Sequence, residues 1–149
     1  MNETTHNGPA ILLVDDDYDQ RGGMAELLAL EGYAVDTASD AYRAAELLDH
    51  RRYDLVISDV ELPGHGLSTL GHVRRNRPET PVILISGLTD ETLRRRALES
   101  GAFAVLEKPV SAPALREVIG RALDAALDAD ADAGGEPRAA AAMETPGAL

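Results

Sequence analysis

Cysteine is missing from all 149 residues of this chain. That excludes a disulfide frame, a thiolate metal site and a cysteine nucleophile. Lysine is almost missing: Lys108 is the only one, and arginine supplies the rest of the basic charge. No apolar run is long enough to span a bilayer. Met1 to Pro9 is polar and lacks the apolar core of a signal peptide. A soluble, cytoplasmic protein without a membrane partner is the expectation. Basic residues are also scarce, 14 against 26 acidic ones, for a formal charge of −12. Such a balance opposes binding to DNA, because affinity there rests on neutralising phosphates. The clusters Arg74-Arg75 and Arg94-Arg95-Arg96 are short and read as solvated helix faces.

The chain is long enough for one domain with a sizeable core, and 44% of it is apolar. Four apolar runs each end on reactive residues. Ile11–Val14 runs into Asp15-Asp16-Asp17, Val82–Ile85 into Ser86-Gly87, and Val105–Glu107 into Lys108-Pro109. The fourth, Leu55–Ser58, runs into Asp59. Short apolar runs separated by helix-like stretches read as buried strands of a parallel sheet. In such sheets ligands bind at the carboxyl ends of the strands. The pattern therefore gathers carboxylates, a hydroxyl and one ammonium at one edge.

Periodicity and end signals place strands at about Ala10–Val14, Tyr33–Thr37, Asp54–Ser58, Val82–Ile85 and Phe103–Glu107. Helices are expected at Tyr18–Leu30, from Ser39 or Asp40 to Arg51, at Leu67–Asn76 and at Asp90–Glu99. A last helix is capped by Ser111, with Pro113 in its first turn and an apolar face from Leu115 to Leu123. Asp17 is the expected cap of the first helix. Gly22-Gly23 within that helix costs about 1 kcal/mol per glycine relative to alanine. Alternating strands and helices predict an α/β fold, a doubly wound five-stranded parallel sheet with five helices. Residues 10–127 form the expected domain, after a disordered segment 1–9. The alternating Ala/Asp and Ala-rich stretch 128–149 buries too little to offset its ordering entropy and is expected to be a disordered tail, with at most a frayed helix at its start. No second domain is expected.

Asp15, Asp16 and Asp59 end two separate strands. Carboxylates brought together raise one another's pKa values, and a hard divalent cation such as Mg2+ relieves that strain. One carboxylate can then attack phosphorus to give an aspartyl phosphate. Charge on a transferring phosphoryl group spreads over three oxygens. Mg2+, Lys108 and a hydrogen bond from Ser86 supply one partner for each, and Gly87 leaves the approach open. Singly, each residue has a plainer reading: Asp15 or Asp16 as surplus cap charge, Asp59 as a turn residue, Ser86 as a satisfied loop hydroxyl, Lys108 as a surface lysine. His6, His50 and His72 read as surface residues, and His65 as a loop residue.

Together these residues resemble the receiver domain of two-component response regulators, whose fold is flavodoxin-like. Asp15-Asp16 match the family's acidic pair, Asp59 its phosphoacceptor, Ser86 its Thr/Ser and Lys108-Pro109 its Lys-Pro, whose peptide bond is usually cis. The segments Leu27–Val35 and Gly101–Pro109 are similar too, and the match covers about Ala10 to Leu127. The resemblance implies that Asp16, Asp59 and the backbone carbonyl of Glu61 ligate Mg2+ directly, with Asp15 acting through water. It implies a phosphoryl donor: a phosphohistidine on a sensor histidine kinase or histidine phosphotransfer protein. It implies self-phosphorylation and slow self-hydrolysis, with no turnover of another substrate. Glu61 and Leu88 occupy positions that tune the phosphoryl lifetime in that family. The expected protein is a stand-alone module that signals by docking or passes phosphate onward.

Two departures bear on signalling. The loop Pro63-Gly64-His65-Gly66 is one residue shorter than the family's Pro-x-Met-Asp-Gly. Val105 stands where the family has a switch aromatic, and Phe103 two positions earlier is expected to point the same way. A switch through Ser86 and Val105 is thus expected to be weakened or differently built. Two competing readings follow. One is a degenerate receiver that serves only as an interaction surface. The other is a haloacid-dehalogenase-like phosphohydrolase with Asp15 as nucleophile, which leaves Asp59 unexplained and lacks that family's late acidic pair.

Overall fold

The ladder of strands is the frame on which the rest hangs. The computed structural model describes residues 8–61, 66–87 and 90–132. Strands β1 (Ala10–Val14), β2 (Ala34–Ala38), β3 (Leu55–Asp59), β4 (Val82–Ser86) and β5 (Ala104–Glu107) form one sheet. Its order is β2-β1-β3-β4-β5, and every pairing is parallel. The helices between and after them are α1 (Tyr18–Leu30), α2 (Ala41–His50), α3 (Gly66–Asn76), α4 (Glu91–Glu99) and α5 (Ala112–Asp132). This is the expected doubly wound, flavodoxin-like α/β fold.

Side-chain alternation along each strand divides the core into two layers. Leu12, Val14, Val56, Val82, Leu84 and Val105 cluster with Ala44 and Leu48 of α2, Leu70 and Val73 of α3, and Ala97 of α4. Ile11, Leu13, Leu55, Ile57, Ile83 and Ile85 cluster with Leu28 of α1 and Leu115, Val118, Ile119 and Ala122 of α5. Both faces of the central strands are covered, which is why β1, β3 and β4 read as unbroken apolar runs.

Helix starts follow side-chain chemistry. Asp17, Asp40 and Asp90 sit just before α1, α2 and α4, and each carboxylate accepts an amide hydrogen bond from the first turn. Asp40, not Ser39, is therefore the cap of α2. Ser111 Oγ accepts from the Ala114 amide at 3.2 Å. Gly32 and Gly101 follow α1 and α4 with φ of 100° and 106°, a left-handed turn that favours glycine.

Several details differ from the sequence expectations, and β2 is shifted by one residue to Ala34–Ala38. β3 and β4 each extend one residue further, so Asp59 and Ser86 are themselves the last residues of their strands. Helix α5 continues past Leu127 to Asp132. The apolar face has run out there, but alanine, the best helix former, sustains the backbone. Phe103 does not share a face with Val105. It precedes β5, so strand alternation does not reach it, and it packs in the α1/α5 layer while Val105 lies in the other. The expectations for His6, the loop at Pro63, Gly64 and His65, Leu88 and the tail from 133 fall outside the described residues.

Candidate functional site

β1 is flanked by β2 on one side and β3 on the other, so the chain reverses its direction of winding at β1/β3. A crevice opens at the carboxyl ends of the strands at such a point. The Asp15 amide continues the ladder by donating to the Ala38 carbonyl at 3.0 Å, which holds the residue at the edge. Asp15 Oδ1 in turn accepts from the Asp17 amide at 2.9 Å. From β3, Asp59 enters the same crevice. Ligand oxygens of Asp15, Asp16 and Asp59 all lie within 4.8 Å of one another. Asp15 and Asp59 are buried, whereas Asp16 is exposed.

Both oxygens of Asp59 are engaged. Oδ1 accepts from the Glu61 amide at 2.9 Å, and Oδ2 accepts from Lys108 Nζ at 2.7 Å. Lys108 follows β5 directly; its amide donates to the Ser86 carbonyl at 2.9 Å, and its bond to Pro109 is cis. Burial pushes the Asp59 carboxyl above its ordinary pKa, and the charge of Asp15 adds to this. Lys108 and the Glu61 amide offset only part of it. Burial also opposes the Lys108 charge, yet the Asp59 carboxylate overrides it and the ammonium pKa rises. These two shifts pull opposite ways on one pair. Geometry favours the ion pair, because both Asp59 oxygens serve as acceptors of N–H donors, which suits a carboxylate.

The resemblance gives Glu61 a backbone carbonyl for Mg2+ and a position that tunes the phosphoryl lifetime; the contacts of its side chain are what the structure adds. Its Oε2 accepts from Ser86 Oγ at 2.5 Å, and its Oε1 accepts from the Gly87 amide at 3.2 Å. Lys108 Nζ stands 4.0 Å from Oε1. Burial works against the Glu61 charge, but the hydroxyl and amide donors outweigh it and hold the carboxyl below its ordinary pKa. Nothing in the strand pattern marks this; the one available signal was an acidic residue two positions after Asp59. Gly87 is exposed, and a Cβ placed there would make ordinary contacts with Lys108 and Glu61. The approach to the crevice is thus open at Gly87.

Val105 belongs to the core rather than the crevice. It is 3% exposed and pairs across the sheet with Leu84. Its carbonyl accepts from the Arg94 guanidinium of α4 at 3.0 Å, a tie the sequence did not reveal. His72 is also more than a surface residue: it bridges α3 to Asp49 of α2 at 3.1 Å.

Three carboxylates offering close oxygens, one of them raised in pKa by burial, are an oxygen-only donor set suited to a hard cation such as Mg2+. The arrangement can therefore hold a divalent cation, present a carboxylate to an electrophile, and meet a developing anion with an ammonium.

Known proteins share this frame. The family described as response regulator receiver domain matches residues 11–120. The nitrogen assimilation regulatory protein NtrX of Azorhizobium caulinodans is 38% identical over 117 residues, which are 76% of this chain and 26% of that protein. The transcriptional regulatory protein CpxR of Escherichia coli is 39% identical over 112 residues, 74% of this chain and 46% of that protein. This chain thus spans between about a quarter and a half of these two relatives' lengths. Among solved structures, a CheY-like receiver domain protein from Methanospirillum hungatei superposes with a TM-score of 0.78 at 29% identity, covering 81% of this chain and 98% of that one. The chain belongs to the response regulator receiver domain family of two-component systems.

Proposed function

We propose that this chain is a phosphoacceptor of a two-component or phosphorelay system, with Asp59 as the residue that is phosphorylated. The observation that carries the reading is a buried carboxylate held by the only lysine of the chain and set among Asp15 and Asp16. The donor is a phosphohistidine on a sensor histidine kinase or histidine phosphotransfer protein. An Asp59 oxygen attacks phosphorus; the O–P bond forms as the N–P bond of the donor breaks, and the imidazole nitrogen takes the electron pair and a proton. Asp15, Asp16, Asp59 and the Glu61 carbonyl are the residues assigned to Mg2+, which when bound would neutralise charge on a phosphoryl oxygen. Lys108 moves its contact from Asp59 to the arriving phosphoryl group. Ser86 and Gly87 supply donors to its remaining oxygens. Water later hydrolyses the acyl phosphate, so the chain catalyses only its own phosphorylation and dephosphorylation. The output is docking to a partner protein.

The test is labelling with a small acyl phosphate in Mg2+, read by intact mass. A gain of one phosphoryl group that depends on Mg2+ and is lost in Asp59→Asn is expected. No labelling of the wild type by either an acyl phosphate or a histidine-phosphorylated donor would favour the pure interaction module instead.

A further inference from the structure

The phosphoacceptor reading requires donors that are ready to receive a phosphoryl group. In the resting structure those donors already hold an anion. Ser86 Oγ–H and the Gly87 N–H both point at the Glu61 carboxylate, at 2.5 and 3.2 Å, and Lys108 Nζ lies 4.0 Å from it. Glu61 reaches them because its own amide is pinned to Asp59 Oδ1, which sets the first step of the loop after β3. The Val60 amide adds a second tie by donating to the Ile85 carbonyl at 2.8 Å. The carboxylate thus occupies the place where a hydroxyl, an amide and an ammonium converge.

We propose that the Glu61 carboxylate is a tethered competitor for the phosphoryl position, satisfying Ser86 and Gly87 in the resting state and leaving them when Asp59 is phosphorylated. The inference rests on the phosphoacceptor reading above and deepens it. A phosphoryl group brings further negative charge to the same donors, and like charges that close repel. Two anions cannot share one hydroxyl hydrogen and one amide hydrogen, so binding one expels the other. Glu61 is then a positioning residue that sets how tightly the site takes a phosphoryl group. Ser86 is drawn toward the site before phosphorylation. The group that must move on activation is the side chain of Glu61.

The experiment titrates beryllofluoride, an acyl-phosphate mimic, into the full chain with Mg2+ present, read by amide NMR. Wild type is compared with Glu61→Ala, Glu61→Gln and Glu117→Gln. The last removes the same charge from an exposed position on α5. Freeing charge-assisted donors is expected to tighten beryllofluoride by about tenfold in both Glu61 variants. Glu117→Gln is expected to match wild type. The Gly87 amide supplies a second readout that a general effect on the fold would not produce. Its shift should differ between wild type and Glu61→Ala in the free protein and converge when both are saturated. Unchanged or weaker binding in the Glu61 variants, with wild type still binding, overturns the competitor role and leaves the phosphoacceptor standing. No binding in any variant overturns both.

Discussion

Replacing Lys108 by alanine tests whether Asp59 rests as an ionised, paired carboxylate. The Asp59 side chain is only 3% exposed, and the Lys108 ammonium lies 2.7 Å from it. Among the described residues, removing the ammonium leaves one donor on Asp59, the Glu61 amide. Asp59 then has two courses. It can stay charged and lose a charge-assisted hydrogen bond worth about 1.5–3 kcal/mol. Or it can take up a proton. From an ordinary carboxyl pKa of 3.8, protonation at pH 7 costs at most about 4.4 kcal/mol at roughly 1.36 kcal/mol per unit. Burial already raises Asp59, so the true cost is smaller. Lys108→Ala should therefore destabilise the metal-free protein by about 2 kcal/mol at pH 7. In an Asp59→Asn background the same change removes only a partly exposed stem and should cost about 0.5 kcal/mol. The coupling is about 1.5 kcal/mol, measured by urea unfolding of the four proteins as a double-mutant cycle. The pH dependence has a fixed sign. A neutral Asp59 needs no ammonium, so the cost of Lys108→Ala should shrink as pH falls from 7 toward the Asp59 pKa. A coupling below about 0.5 kcal/mol, or a cost that does not change with pH, would refute the ion-pair account.

Glu61 should show the opposite sign from Asp59. Its folded pKa lies below the ordinary 4.5, so its charge stabilises the fold above that value and the benefit fades as pH falls through the folded pKa. Thermal melts of wild type and Glu61→Gln should differ most near neutrality and converge in acid. Gly22 and Gly23 in α1 have open space where a Cβ would stand, so each change to alanine should stabilise by about 1 kcal/mol, read as a higher urea midpoint. Val105→Ala should cost about 2 kcal/mol in urea unfolding by emptying a filled position against Leu84, whereas a surface switch residue would cost almost nothing.

What the sequence disclosed and what it hid divide along a physical line. Strands β1, β3 and β4 were legible because two helix layers force them to be apolar on both faces, and that constraint acts residue by residue. Asp59, Ser86 and Lys108 were legible because a parallel sheet projects strand ends to one edge, so knowing the strands gives the crevice. Asp40 was separable from Ser39 only by the amide it caps. Phe103 departs from the expected face because alternation holds only inside a strand, and β5 starts at Ala104. The Arg94 tie to the Val105 carbonyl joins a helix to an edge strand, and no local pattern encodes where a long arginine ends.

Glu61 is the instructive case, because chain position and side-chain destination part company there. Its place two residues after Asp59 fixed its backbone, and its amide does meet Asp59. Its side chain crosses to the end of β4 and meets Ser86 and Gly87. Such a crossing depends on the spacing between β3 and β4 and on competition between Lys108's two carboxylate neighbours. Lys108 lies far closer to Asp59 than to Glu61, at 2.7 against 4.0 Å. Because the ammonium goes to the buried carboxylate, the more exposed one turns to the hydroxyl and the amide. The resting site is therefore a partition of donors between two anions, and under the proposed function a third anion on Asp59 must change that partition. Under the proposed function, signalling in this chain has a starting point that does not require an aromatic at Val105: a phosphoryl group on Asp59 displaces the Glu61 carboxylate from Ser86 and Gly87.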